Sequence, residues 1–279
     1  MPIQQKIISI NLNQSNLQNY LDCPRRFELN ALEEKSWPAA TIHPLSAVEK
    51  SIQLGNRFHQ ISQQFFSGIS PEQIRQSITD PTLVEMWDAF MPFARTIEGS
   101  KVYFEKLLHI PFNNHRLVAK FDLVVQQQDR YWIIDWKTSP KSPPLSILSE
   151  RVQTFLYPYI FTIAGPELFD TKSIEPEAIS FTYWYPLLNQ PEISFNYSSE
   201  KYQQTKSKLI SIINQIEEDY HKESQFPLTD DLDKCLICSF RSICDRGSMP
   251  GELQLFDDME EYMQDEIHLE IEQICELEF

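Results

Sequence analysis

Two aspartates and a lysine sit inside segments whose other residues read as sheet core: Asp122 in "FDLVVQ", and Asp135 with Lys137 in "YWIIDWK". Burying a charge without a partner costs several kcal/mol, so such residues are normally confined to surfaces. Side chains alternate along a strand, which puts Tyr131, Ile133, Asp135 and Lys137 on one face and Trp132, Ile134 and Trp136 on the other. Asp135 and Lys137 then stand about 6–7 Å apart at Cα, and Asp122 reaches the same face if the two segments pair as a hairpin. Two carboxylates aimed at one point repel unless a cation lies between them, and hard divalent ions such as Mg²⁺ prefer oxygen ligands. An ammonium beside such an ion orients or activates a water, or stabilises charge developing on a phosphate. This is equipment for phosphodiester hydrolysis. A D-x-K alone is more often an ordinary ion pair at a strand end, so its context decides.

The elements that must position these groups can be read from periodicity. Ser15 with Gln18 predicts a capping box that opens a helix over "SNLQNYLDC", with Leu17, Tyr20 and Leu21 on its buried side and Pro24 at its end. Leu54, Phe58, Ile61 and Phe65 recur at helical spacing and predict a helix over about 45–66, with His59 beside that stripe. Ser70-Pro71 starts a further helix, and "TLVEMWDAFMPFA" continues the helical region. The period then changes: "VYFEKLLHIPF", "HRLVAKFDLVVQ" and "YWIIDWK" predict three strands, the last two joined through "QQDR". "SILSERVQTFLYPYIFTIAG" returns to helix, kinked at Pro158, "AISFTYWYP" predicts another strand, and Ser198 or Ser199 caps a long helix carrying Leu209, Ile212, Ile213 and Ile216. Helices, meander, helix, strand and helix in that order predict an α/β core with helices packed on a mixed central sheet.

His59 in "GNRFH" supplies an imidazole from a preceding helix, and Gln153 and Tyr157 in "QTFLY" supply two polar groups on one face of a following helix. Each alone has a plain reading, a surface histidine and a half-buried tyrosine. In the order histidine, Asp, D-x-K, Q-x-x-x-Y, over residues 15 to 246, they resemble the RecB-like branch of the PD-(D/E)XK nuclease superfamily. The resemblance implies a restriction-endonuclease-like fold and a Mg²⁺ or Mn²⁺ ion held by His59, Asp122, Asp135 and the Trp136 carbonyl. Lys137 takes the place of the catalytic lysine, and Gln153 and Tyr157 match the motif that supports the site and contacts DNA. Glu105 in "YFEKL" stands where many relatives carry a strand glutamate, as a lesser candidate ligand.

Cys235, Cys238 and Cys244 fall in one short loop, "CLICSFRSIC", with Cys23 in "CPRRF" far upstream. An odd number of cysteines, five, argues against a disulfide framework and for thiols or metal ligands. Spacing leaves tetrahedral zinc and an iron–sulfur cluster both open. "SNLQNYLDCPRRF" and "CLICSFRSIC" resemble the cysteine segments of iron–sulfur RecB-like nucleases, including CRISPR-associated exonucleases and the nuclease domains of bacterial helicase-nuclease subunits. That resemblance implies a [4Fe-4S] cluster on Cys23, Cys235, Cys238 and Cys244, clasping the two ends of the fold and leaving Cys275 aside.

A net charge of −16 argues against a nucleic-acid partner until its distribution is seen. Residues 251–279 hold eleven acids and no Lys or Arg, so residues 1–250 carry 24 bases against 29 acids, which permits a local basic groove. Arg25, Arg26, Lys141, Arg151, Arg241 and Arg246 flank the inferred centres as candidate DNA contacts, with Trp136 and Tyr157 as candidate stacking faces. The division expected is a nuclease domain over 1–250 and an acidic amphipathic tail over 251–279. The tail either docks on its own body or acts as a DNA-mimicking element or a site for a protein partner. No apolar run approaches the roughly 20 residues of a membrane span, and "MPIQQKIISINLNQ" lacks a signal-peptide core, so a cytoplasmic protein is expected. No G-x-x-x-x-G-K-[ST] occurs, which leaves no built-in nucleotide motor. The leading expectation is a metal-dependent deoxyribonuclease, an exonuclease on single-stranded or end-containing DNA in recombination and repair or CRISPR spacer acquisition. The alternative is a non-catalytic nucleic-acid-binding or regulatory protein.

Overall fold

A computed structural model describes residues 9–35, 42–43, 45–222, 224–236, 238–247 and 251–252, of which 42–43, 45–49 and 251–252 are described by backbone alone. The chain order is β1 (Asn11–Leu12), α1 (Gln14–Asp22), α2 (Pro24–Phe27), β2 (Ile42–His43), α3 (Leu45–Phe66), α4 (Pro71–Ser77) and α5 (Pro81–Thr96). Strands β3 (Lys101–Phe112), β4 (His115–Gln127) and β5 (Arg130–Trp136) follow. Then come α6 (Leu145–Glu150), α7 (Val152–Phe169), β6 (Ile179–Trp184), β7 (Glu192–Asn196), α8 (Ser199–His221), α9 (Leu232–Leu236) and β8 (Gly251–Glu252). The fold is α/β, a mixed central sheet flanked by helices.

The sheet runs β1-β4-β5-β6-β7, with β3 along the other side of β4. β3, β4 and β5 form an antiparallel meander, α6 and α7 carry the chain back so that β6 pairs with β5 in parallel, and β7 returns antiparallel. Two apolar cores face the sheet. Leu17 and Tyr20 of α1, Leu156 and Ile160 of α7, and Leu209, Ile213 and Ile216 of α8 cover one face. Phe58 and Ile61 of α3, Ile74 of α4, and Trp87, Phe90 and Phe93 of α5 cover the other. Buried on both faces, β5 reads as an apolar run, with Tyr131 and Ile133 facing the first core and Trp132, Ile134 and Trp136 the second.

β4 is the spine, and two of its features define the site. β5 pairs with it only along Leu123–Gln127, and β1 only at Arg116 and Leu117, so the edge around residues 118–122 lies in a fork between those two strands. The β3–β4 ladder keeps one register throughout but omits Glu105 and Asp122, which face each other between the pairs Phe104↔Leu123 and Lys106↔Phe121. At this point both strands exchange faces. Before it, Val102 and Phe104 pack toward α3–α5 and Tyr103 toward α7, whereas beyond it Leu108, Ile110 and Phe112 pack toward α7. On β4, Leu117, Ala119 and Phe121 face α7, and Leu123 and Val125 face α3–α5. The exchange is made by backbone geometry: Glu105 has φ +49°, a left-handed conformation in the middle of a strand.

The elements expected from sequence are present, with local differences. Asn13, not Ser15, caps α1, because its side chain accepts the Asn16 N–H while the Asn16 side chain accepts the Asn13 N–H. Leu21, expected on the buried side, is 42% exposed; the sides of α1 that pack are those of Leu17 and Tyr20. The single helix expected around Pro158 divides at Arg151, whose ψ of 142° is extended, and α7 then runs through Pro158 and Pro166. The short strands β1 and β7 lie outside the expected set. Past Glu252 the acidic amphipathic tail expected from sequence, with Cys275, lies outside the described residues. No helix among the described residues is long and apolar enough to cross a membrane.

Candidate active site

The face exchange sets Glu105 and Asp122 against α3, and α3 supplies His59. Phe58 and Ile61 anchor that helix in the second core, which holds the intervening His59 over the kinked strands. His59 Nδ1 is 3.5 Å from Asp122 Oδ1 and 3.8 Å from Glu105 Oε1. One ligand atom from each residue lies within 4.8 Å of the others, and among the described residues this is the one such group of His, Cys, Asp or Glu. Both outer carboxylate oxygens are secured: Glu105 Oε2 meets Lys120 Nζ at 2.8 Å, and Asp122 Oδ2 accepts the Trp136 N–H at 2.9 Å, where β5 has left the β4 ladder. The inner oxygens therefore point at the imidazole.

The electrostatics gather negative charge around the imidazole. Burial disfavours a charged His59, but the Asp122 carboxylate beside it, with Glu105 and Asp135, raises its pKa overall. Burial raises Asp122, and the Glu105 charge adds to this against the pull of His59. Burial also opposes ionisation of Glu105, yet His59 and Lys120 hold its carboxyl down at about 2. Neither ring nitrogen of His59 has a hydrogen-bond partner although both are buried. A buried imidazole without hydrogen bonds, facing two carboxylates, fits a divalent cation, which a ring nitrogen and two oxygens can ligate directly.

Asp135 lies outside that trio, on the α7 face of the sheet, although its charge still reaches His59. Its Oδ2 is 2.9 Å from Lys137 Nζ, and its Oδ1 accepts from Gln153 Nε2 at 2.5 Å. Lys137 is fixed by its backbone N–H, which donates to the Trp184 carbonyl at 2.9 Å, and by its ammonium, 5.6 Å from the centre of the Tyr183 ring. Tyr157, one turn along α7 from Gln153, donates to Gln14 Oε1 at 2.7 Å and so ties α7 to α1. The sequence reading weighted Asp135 above Glu105 as a companion to His59 and Asp122; the structure groups Glu105 with them, and the 4.8 Å set does not include Asp135. Lys120, not singled out from the sequence, braces Glu105.

Other expected contacts are placed differently. Trp136 and Tyr157 are 3% and 2% exposed; Trp136 packs on Phe58, Phe90 and Trp184, so neither ring offers a stacking face. Arg25, Arg26 and Arg241 are buried, Arg25 against Glu28 and Glu33, Arg26 against Asp22 and Arg241 on the Leu236 carbonyl, which removes them from direct reach of a nucleic-acid strand. Lys141 is exposed and Arg151 half-buried.

Cys23, between α1 and α2, is buried with Cys238, while Cys235 and Cys244 are half-buried, and none of the four is in a disulfide. Burial raises Cys235, Cys244 and Cys238, the last to about 11, and the Cys23 thiol raises all three further. Opposing this, Arg26 acts on Cys235 and Cys238, and Arg246 on Cys235 and Cys244. The four thiols thus share one neighbourhood, flanked by guanidinium groups. The segment after α8 is sewn to α2 by Arg25 N–H on the Pro227 carbonyl and Phe226 N–H on Glu28 Oε2.

A protein-family model described as the PD-(D/E)XK nuclease superfamily matches residues 11–245. No curated protein matches the chain. Solved structures that resemble it include that of SSO0001, at 16% identity and TM-score 0.41, covering 86% of this chain and 87% of that one. A candidate exonuclease from Eubacterium rectale resembles it at 10% identity and TM-score 0.47, covering 84% of this chain and 87% of that one.

Proposed function

Because the chain belongs to the PD-(D/E)XK nuclease superfamily, we propose that it is a divalent-metal-dependent deoxyribonuclease acting as an exonuclease on single-stranded or end-containing DNA. One observation carries this reading: His59, Glu105 and Asp122 converge, with both imidazole nitrogens buried and Nδ1 facing the two carboxylates, beside an Asp135–Lys137 pair. His59, Asp122 and Glu105 would hold Mg²⁺ or Mn²⁺, with Asp135 and the Trp136 carbonyl completing the set from the β5 side. When bound, the ion supplies a Lewis acid for the phosphoryl oxygen and lowers the pKa of water.

The chain's own groups do the rest. The Trp136 N–H fixes Asp122 so that one oxygen faces inward. Gln153 and Lys137 hold Asp135 from two sides, which sets the ammonium where it can orient the attacking water or meet negative charge developing on the phosphate. Tyr183 under the ammonium limits its rotation. Strand cleavage assayed with Mg²⁺, Mn²⁺ or excess chelator tests the proposal. Wild type should cut only with metal, and His59→Ala, Asp122→Asn and Lys137→Ala should not cut while melting as folded proteins. Full activity in Asp122→Asn and Lys137→Ala would overturn it.

The four thiols are proposed to hold a [4Fe-4S] cluster. The buried Arg241, with Nε and Nη2 lacking partners, adds donors beside the thiol loop. Such a centre would close a loop of more than two hundred residues between Cys23 and Cys235, limiting the unfolded chain as a long-range cross-link does. Anaerobic purification should give a brown protein with about four irons per chain; a colourless, zinc-loaded protein would refute the cluster.

A further inference from the structure

We propose that the outer half of the β3–β4 hairpin, on the side away from α7, is the surface along which a DNA strand is led to His59, Glu105 and Asp122, with Arg116 and His109 taking its phosphates. This rests on the nuclease reading and adds to it the path of the substrate. Beyond the face exchange, Leu108, Ile110 and Phe112 of β3 and Leu117, Ala119 and Phe121 of β4 pack toward α7. Alternation therefore sends Leu107, His109 and Pro111, with Arg116, Val118 and Lys120, to the opposite side. They form three rungs there: Leu107 across from Lys120, His109 across from Val118, and Pro111 across from Arg116. Among the described residues, the core under α3–α5 takes from these two strands only Val102, Phe104, Leu123 and Val125, all on the far side of Glu105 and Asp122. The outer face is correspondingly open: Leu107 is 49% exposed, and His109, Pro111 and Arg116 are exposed as well.

Charge names the occupant. In a chain of net charge −16, these positions hold Arg116, Lys120 and His109 and no Asp or Glu, so the face draws an anion. Among the described residues neither Arg116 nor His109 has an acidic partner. The two are diagonal neighbours across the hairpin, about 7–8 Å apart, a gap that consecutive phosphates of one strand can bridge. Leu107 and Val118 lie beside them as apolar surface for the intervening sugars. Continuity with the site is direct. Lys120, at the innermost rung, reaches along the same side to Glu105, Nζ to Oε2 at 2.8 Å, and Glu105 faces His59. Asp122 follows two residues on, about 6–7 Å along β4, so the face ends at the proposed metal ligands themselves. Lys120 is taken by Glu105, which leaves phosphate to the outer groups. Arg116 stands about 20 Å along the strand from Asp122, so it grips DNA a few nucleotides from the cut and takes no part in the chemistry.

The test uses the full chain, excess chelator and a labelled oligothymidylate, with affinity followed by anisotropy across a salt series. Arg116→Ala should weaken binding about two- to twelvefold and flatten the salt slope by about 0.7, the share of one phosphate contact on a single strand. Leu107→Glu, which sets an acid beside the path, should weaken it at least as much. Both positions are exposed, so both variants should melt with wild type. Lys206→Ala, which removes an exposed cation of α8 on the other side of the sheet, should bind as wild type does. With Mn²⁺ present, KM of Arg116→Ala should rise far more than kcat falls. Wild-type affinity and slope in Arg116→Ala would overturn the path, even if the protein cuts DNA. An equal loss in Lys206→Ala would reduce the effect to net charge and overturn it too. Displacement of the oligonucleotide by polyglutamate as readily as by unlabelled DNA, charge for charge, would reassign the face to an acidic peptide. A wild type that binds through Arg116 but cuts no DNA with either metal would leave the binding face standing and remove the nuclease reading.

Discussion

Replacing Glu105 by glycine separates what the kinked backbone costs from what it provides. A φ of +49° costs an L-residue about 1–2 kcal/mol, which glycine escapes. Glycine's greater freedom in the unfolded chain takes back about 0.5–1 kcal/mol. The lost Glu105–Lys120 pair has side chains 18% and 29% exposed and is worth at most about 1 kcal/mol. These terms nearly cancel, so metal-free Glu105→Gly should melt within about 4 °C of wild type, at about 2–4 °C per kcal/mol for a domain of this size. With metal the two should diverge. An ion present at a hundred times its Kd stabilises wild type by about 2.7 kcal/mol, a rise of about 5–11 °C, most of which the variant forfeits with a ligand. Its cleavage rate should fall at least about a hundredfold. Thermal melting with and without Mn²⁺, beside a cleavage assay, reads both quantities. A metal-free drop of more than about 10 °C would make Glu105 a structural residue, and an unchanged Mn²⁺-induced rise would show that it does not hold the ion.

Asp122→Asn should raise the melting temperature of the metal-free protein at neutral pH while abolishing cleavage. Burial raises the Asp122 pKa, so its stabilising form is the protonated one, lost as pH rises through the folded value. The gain should vanish when melting is repeated below the ordinary carboxylate pKa, and a destabilised variant at neutral pH would contradict the sign. Gln153→Ala removes a buried hydrogen bond to a charged group and should cost about 1.5–3 kcal/mol by chemical denaturation. It should lower kcat about 10- to 100-fold while leaving metal-induced stabilisation in place; unchanged kcat would deny it a positioning role. Cys238→Ser should lose iron and visible absorbance and melt far below wild type, whereas Cys275→Ser should keep both, and equal iron in the two would refute the ligand set. Tyr20→Phe removes the buried bond to Asp219 at 2.7 Å and should cost about 1–3 kcal/mol without changing KM, which equilibrium unfolding and steady-state kinetics decide.

Much of the frame could be read from local pattern. The helix carrying His59, the three-strand meander and the Ser198 cap follow from apolar spacing and cap chemistry, and all three are in the structure. The D-x-K segment was legible because its period of two survives tertiary packing: Asp135 and Lys137 do share the α7 face. What escaped was set by backbone strain and long-range pairing. Nothing in "YFEKL" announces a left-handed residue, although its place opposite Asp122 in the hairpin register lifts Glu105 above a lesser candidate. The burial of Trp136 was also hidden, because alternation gives the face of a strand but not the depth of what covers it. Arg25 and Arg26 read from sequence as DNA contacts, but Glu28, Glu33 and Asp22, within a turn or two along the chain, take their guanidinium groups.

The exchange of faces at Glu105 and Asp122 works like the waist of an hourglass. Two oily chambers meet there, and each strand passes from one to the other at a spot belonging fully to neither. Carboxylates can occupy that seam without sinking into hydrocarbon, which resolves the oddity of acids embedded in segments that look greasy. A defect in either chamber, whether under the α3 aromatics or under the α7 leucines, pulls on the same narrow place, so reactivity is coupled to both halves of the molecule at once.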